Sequence, residues 1–113
     1  QDYDKAEKAF KKAFGLSGDG LNLYNRGIAL RLLGKYEEAV EVLLQSRKIS
    51  EQEEELTDAE DIELVRCYIA LKDRKNAEKY LKFAKEGIDN IHEEYIDEYK
   101  GTLAELENLI NKL

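Results

Sequence analysis

The stretch Leu21–Ser50, LNLYNRGIALRLLGKYEEAVEVLLQSRKIS, decides the fold. It reads as two amphipathic helices, about Gly20 to Leu33 and about Tyr36 to Ile49, joined by one tight turn at Leu33-Gly34-Lys35. Gly34 suits that turn because glycine alone enters the left-handed backbone region without steric cost.

Similar helices stand on either side. Upstream, Tyr3, Ala6, Ala9, Phe10, Ala13 and Phe14 keep the three-and-four spacing of a helix with one buried face. Gly15 and then Ser17-Gly18-Asp19-Gly20 end that helix, and Asp19 is placed to cap the next. Downstream, Glu51 to Glu63 holds eight acidic residues and no basic one, the pattern of a solvated segment or of an acidic lip for a basic partner. Within it, Thr57-x-x-Glu60 predicts a capping box opening a fourth helix, about Asp58 to Lys72. A fifth follows from about Arg74 to Ile88, with Ala77, Tyr80, Leu81, Phe83 and Ala84 as its apolar side. From Asn90 to Leu113 the residues Ile91, Tyr95, Tyr99, Leu103, Leu106, Ile110 and Leu113 predict one long helix, kinked or restarted at Gly101-Thr102. The expectation is about six helices, no strands, and an all-α single domain.

Bulk composition agrees and excludes several functions. The 113 residues are 42% apolar and 38% charged, with no proline, a mixture that favours helices. A net charge of −7 argues against nucleic acid, which is bound by neutralising phosphates, and against an anionic membrane surface. No apolar run approaches the roughly 20 residues of a membrane span. The single cysteine, Cys67, forms no internal disulfide, so a cytoplasmic location is expected. The chain opens at Gln1 without a methionine, as expected for a piece of a longer protein.

Superposed, the helices repeat. Tyr3-x-x-Ala6-x-x-x-Phe10-x-x-Ala13 returns 33 residues later as Tyr36-x-x-Ala39-x-x-x-Leu43-x-x-Ser46. It returns after a further 38 as Arg74-x-x-Ala77-x-x-x-Leu81-x-x-Ala84. A period near 34 with small residues at fixed places marks a stacked helical array, since only small side chains let helices cross closely.

Here the sequence resembles the tetratricopeptide repeat family. Leu23-x-x-Arg26-Gly27-x-x-Leu30, Leu33-Gly34-Lys35-Tyr36 and Ala39-x-x-x-Leu43-x-x-Ser46 fit its first helix, turn and second helix. On this resemblance residues 1–14 are the second helix of a partial repeat, 20–50 a full repeat, 57–88 a divergent repeat and 90–113 a capping helix. The divergent repeat keeps Leu64-Val65-x-x-Tyr68 but has Lys72 where the turn glycine stood, and the proline expected after each repeat is absent throughout. The resemblance implies a right-handed α-α superhelix whose first helices line a concave groove for a peptide or another protein.

That groove would be lined by Leu21, Tyr24, Asn25, Ile28, Arg31 and Leu32 from the full repeat. The divergent repeat would add Ala59, Ile62, Glu63, Arg66, Ile69 and Ala70. An aromatic beside arginines offers large contact area and directional bonds. The competing reading is that a neighbouring helix covers these side chains. Asn25 matches the middle asparagine by which some family members grip a carboxylate, but Ala59 and Glu63 stand where lysine and arginine would be required, so a carboxylate clamp is rejected.

No catalytic set is legible. His92 is the only histidine and sits in a polar stretch, and Cys67 fits a small buried helix position. No EF-hand spacing and no phosphate loop occur, so neither metal nor cofactor is expected. The sequence therefore reads as a non-catalytic scaffold or adaptor. The alternatives are self-association, with a homo-oligomer formed through the last helix and its Leu103–Leu113 stripe, or a regulatory domain of a larger enzyme.

Overall fold

The computed structural model describes residues 20–113. The helix expected over Tyr3–Phe14, with the Gly15–Asp19 punctuation, lies outside the described residues. Five α-helices follow in order: α1 (Gly20–Leu32), α2 (Tyr36–Gln52), α3 (Asp58–Ala70), α4 (Arg74–Glu86) and α5 (Ile96–Asn111). Two short 3-10 turns, Gly87–Asn90 and Glu93–Tyr95, separate α4 from α5, and no strand occurs among the described residues. The all-α expectation holds. The chain divides between Glu55 and Leu56 into two compact units.

In the first unit, α1 and α2 form an antiparallel hairpin. Leu23, Gly27 and Leu30 share one face of α1, and all are buried, as are Ala39, Val42, Leu43 and Ser46 of α2. The crossing is close at Gly27, where a Cβ would stand 2.6 Å from both Cγ and Cδ2 of Leu43. The turn is a Schellman motif. Lys35 N–H donates to the Leu30 carbonyl and Gly34 N–H to that of Arg31, both at 2.9 Å, with Gly34 at φ +81. Helix α2 runs on to Gln52, three residues past the expected Ile49. It ends in a second Schellman motif, in which Glu55 N–H reaches the Ser50 carbonyl at 2.8 Å and Glu54 takes φ +58.

The second unit repeats the hairpin in α3 and α4 and lays α5 against both. Its turn closes as the first does, with Asp73 N–H on the Tyr68 carbonyl at 2.9 Å and Lys72 N–H on that of Ile69 at 3.0 Å. Lys72 takes the glycine's conformation, at φ +59. Asp73 then caps α4, accepting from Asn76 N–H at 3.2 Å and from its Nδ2 at 2.8 Å. Tyr68 and Tyr80 stack at 5.7 Å between centroids, and Phe83 meets Tyr80 edge-on.

Three expectations need correction. The capping box does not form: Thr57 Oγ1 instead donates to Asp61 Oδ2 at 2.9 Å. Helices α3 and α4 stop two residues short of the expected ends, at Ala70 and Glu86. The last helix does not run from Asn90 and does not break at Gly101-Thr102. It starts at Ile96, because Asp89-Asn90 favours turns, and His92 Nδ1 accepts the Glu94 N–H at 3.1 Å to hold the second 3-10 turn. Gly101 is accommodated inside α5, where Thr102 Oγ1 bonds back to the Glu98 carbonyl at 3.1 Å. Tyr95 leaves the expected apolar stripe and is 57% exposed, while Leu103, Leu106 and Ile110 are buried.

Candidate functional site

On α1 the residues Tyr24, Ile28 and Arg31 fall at i, i+4 and i+7, turned by about 100° from the Leu23, Gly27 and Leu30 face that meets α2. All three are half-buried, as is Asn25, while Leu32 is 48% exposed. The first unit therefore presents a continuous stripe of one aromatic, two aliphatics, an amide and a guanidinium. Its position follows from the glycine: Gly27 seats one side of the helix on Leu43, and the adjoining side is left half-buried.

On α3 the residues Ile62, Arg66 and Ile69 hold the same spacing and are also half-buried, flanked by exposed Ala59 and Ala70. Arg66 Nη1 lies 3.6 Å from Glu63 Oε1. Glu63, on the same helix, is buried, as in the reading that a neighbouring helix covers these positions. The side chain of Leu21, the remaining expected lining residue, is outside the described set.

Glu60 and Asp61 are also buried, Asp61 to 1% exposure. The acidic run thus divides: Glu51, Glu53, Glu54 and Glu55 are solvated, whereas three acids of α3 are packed inside. Burial of ionisable acids is uncommon enough that composition gave no warning. The repeat offset did carry a signal, because a shift of 38 residues sets Asp61 on the buried position of Leu23.

Two phenols respond to their surroundings. The Tyr99 hydroxyl is pushed up to about 12, first by burial and then by the nearby carboxylates of Asp58 and Asp61. It donates to the Ala84 carbonyl at 2.8 Å. Burial likewise raises the Tyr68 hydroxyl, with smaller contributions from Tyr80, Asp73 and Cys67.

Among the described residues no group of three or more His, Cys, Asp or Glu is placed to hold a metal ion. Cys67 is fully buried, as expected, and the His92 side chain is 73% exposed. No described helix is long and apolar enough to cross a membrane. A cleft of about 200 Å³ lies between α4 and α5, lined by Leu81, Lys82, Lys85, Glu107 and Ile110 among others.

Comparison with known proteins identifies one segment. Residues 22–53 match the family model described as a tetratricopeptide repeat. No curated protein and no solved structure matches the chain significantly.

Proposed function

From the tetratricopeptide repeat that the chain carries over residues 22–53, we propose that this is a non-catalytic protein-interaction module, a scaffold or adaptor that binds a peptide or another protein. The contact surface is the outward stripe of each first helix: Tyr24, Asn25, Ile28, Arg31 and Leu32 on α1, and Ile62, Arg66 and Ile69 on α3. The observation that carries this reading is the α1 stripe. Its side chains include an aromatic, two aliphatics and a guanidinium, and they stand on the side adjoining the Gly27–Leu43 seat, partly open to solvent. Such groups supply most binding energy at interfaces. The charge of −7 makes nucleic acid an unsuitable partner, and the buried thiol of Cys67 suits a reducing compartment such as the cytoplasm.

Peptides selected on the chain from a random display library, titrated against isotope-labelled protein, test the assignment. Amide shifts should concentrate at Tyr24, Ile28, Arg31, Ile62, Arg66 and Ile69, and Ile28→Asp should abolish binding without unfolding α2. Shifts confined to the outer sides of α2 and α4 would refute the assignment.

The competing reading, pairing of copies through the last helix, loses its motivation. Leu103, Leu106 and Ile110 are buried within the second unit, so that only Leu109 and Leu113 of that helix's apolar end remain exposed.

A further inference from the structure

Helix α5 combines a few strong attachments with several local weaknesses. It is reached through two 3-10 turns, whose hydrogen-bond geometry is poorer than that of an α-helix. Its N-cap, Tyr95, makes no side-chain capping bond, whereas α4 is capped by Asp73. Gly101 sits in its middle on the solvent side, with nothing within 4 Å of where a Cβ would stand, so the glycine lowers helix propensity without serving packing. Toward its end, a cleft of about 200 Å³ opens between α4 and α5 beside Lys82, Lys85 and Glu107. Holding it in place are the buried Leu103, Leu106 and Ile110, the Tyr99–Ala84 hydrogen bond, and an exposed Lys85–Glu107 ion pair at 2.8 Å.

We propose that α5 is a latched strap that opens as one unit from the α3–α4 hairpin before the hairpin itself unfolds, with the Tyr99 hydroxyl on the Ala84 carbonyl as its latch. Proteins open in such cooperative pieces, and the pieces with few buried contacts and weak local propensity open first. Tyr99 keeps its proton, and with it the capacity to donate to Ala84, throughout the neutral range. Opening bares Leu81 and Ala84 on α4, both buried when the strap is closed. The face so exposed exists only in the open state, which makes it conditional on whatever controls the latch. This device is independent of the binding stripes on α1 and α3.

Native-state amide exchange on the full chain, read residue by residue, decides the matter. The amides of 98–110 should exchange faster than the slowest amides of α3 and α4. Tyr99→Phe should accelerate them about fivefold, the loss of one hydrogen bond, and α3 and α4 amides that exchange through unfolding of the whole unit should follow by the same factor, because α5 is open in that state too. Gly101→Ala, on the solvent face, should slow the same amides about fourfold, whereas Asp73→Ala, which removes the α4 cap, should accelerate the α3 and α4 amides and leave those of α5 unchanged, because the hairpin stays folded when α5 alone opens. The proposal is overturned if the α5 amides exchange at the rate of the hairpin core. It is equally overturned if Asp73→Ala accelerates the α5 amides in step with those of α3 and α4, since that would mean α5 opens only with the whole unit.

Discussion

Replacing Gly27 by alanine tests the helix seat on which the α1 stripe depends. The added Cβ would stand 2.6 Å from Cγ and Cδ2 of Leu43 and 3.6 Å from Cδ1. Carbon atoms settle at about 3.5–4.0 Å, so roughly 1 Å of movement is required. Leu43 is fully buried and has no exposed space to swing into. The helices must part, or the leucine must leave its rotamer, and overpacking of this kind costs about 1–3 kcal/mol. Alanine returns about 1 kcal/mol of helix propensity. The overlap is large and the site is enclosed, so the net loss should be about 1–2 kcal/mol. With a urea m-value of about 2 kcal/mol/M, the midpoint should fall by about 0.5–1 M at constant m. A double-mutant cycle with Leu43→Ala isolates the cause. The leucine deletion should cost about 1–2 kcal/mol less in the Gly27→Ala background than in the parent. If Gly27→Ala is as stable as the parent, or if the two costs add, the close seat is not what the packing requires.

Further outcomes follow from the turns and the titrating groups. Lys72→Gly should stabilise the protein by about 0.5–1 kcal/mol, because relief of about 1–2 kcal/mol of left-handed strain outweighs the entropy that glycine restores to the unfolded chain. Gly34→Ala should be destabilising by a similar amount, and thermal unfolding of both variants would expose a wrong sign. The Asp73 carboxyl lies below the ordinary carboxylate range, chiefly because of the Asn76 side-chain bond and then the Asn76 backbone N–H, so its contribution is present above the unfolded value of about 3.9 and is lost as pH falls through the folded one. Tyr99 is the opposite case: its contribution is complete below the unfolded value of about 10 and fades as pH rises through about 12. Stability measured against pH should lose its acid limb partly in Asp73→Asn, and ultraviolet titration should lose its most alkaline phenol in Tyr99→Phe.

Helix spacing made α1 to α4 legible to within two or three residues, because each has one apolar side that the rest of its unit covers. The same signal misled at the last helix. Ile91 and Tyr95 stand at helical distances from Tyr99, yet the turn chemistry of Asp89-Asn90 and the His92–Glu94 bond override the period. The acidic run misled in the other direction. Its charge density argued for solvent throughout, but Glu60, Asp61 and Glu63 occupy positions that tertiary packing encloses, a property no local pattern encodes. The candidate stripe was readable because it is the complement of the buried face. Which of its residues meet a ligand depends on a partner and lies outside the chain's own pattern.

Loss of the turn glycine at Lys72 was the main mark of divergence, yet the turn itself has not diverged. Gly34, Glu54 and Lys72 all adopt positive φ behind the same pair of carbonyl bonds, so helix packing imposes the geometry and the residue tolerates it. The repeats can therefore be compared position by position at an offset of 38. On that register Val65, fully buried, replaces Gly27, so the close seat that the glycine permits on α1 has no counterpart glycine on α3. The stripes also register: Tyr24 with Ile62, Ile28 with Arg66, Arg31 with Ile69. The backbone frame is retained while the guanidinium moves by about one helical turn and the aromatic is lost. On the adaptor reading, then, the two first helices are not equivalent subsites. Each stripe asks a different side chain of whatever it meets, so a substitution on α1 and its register mate on α3 should change binding differently.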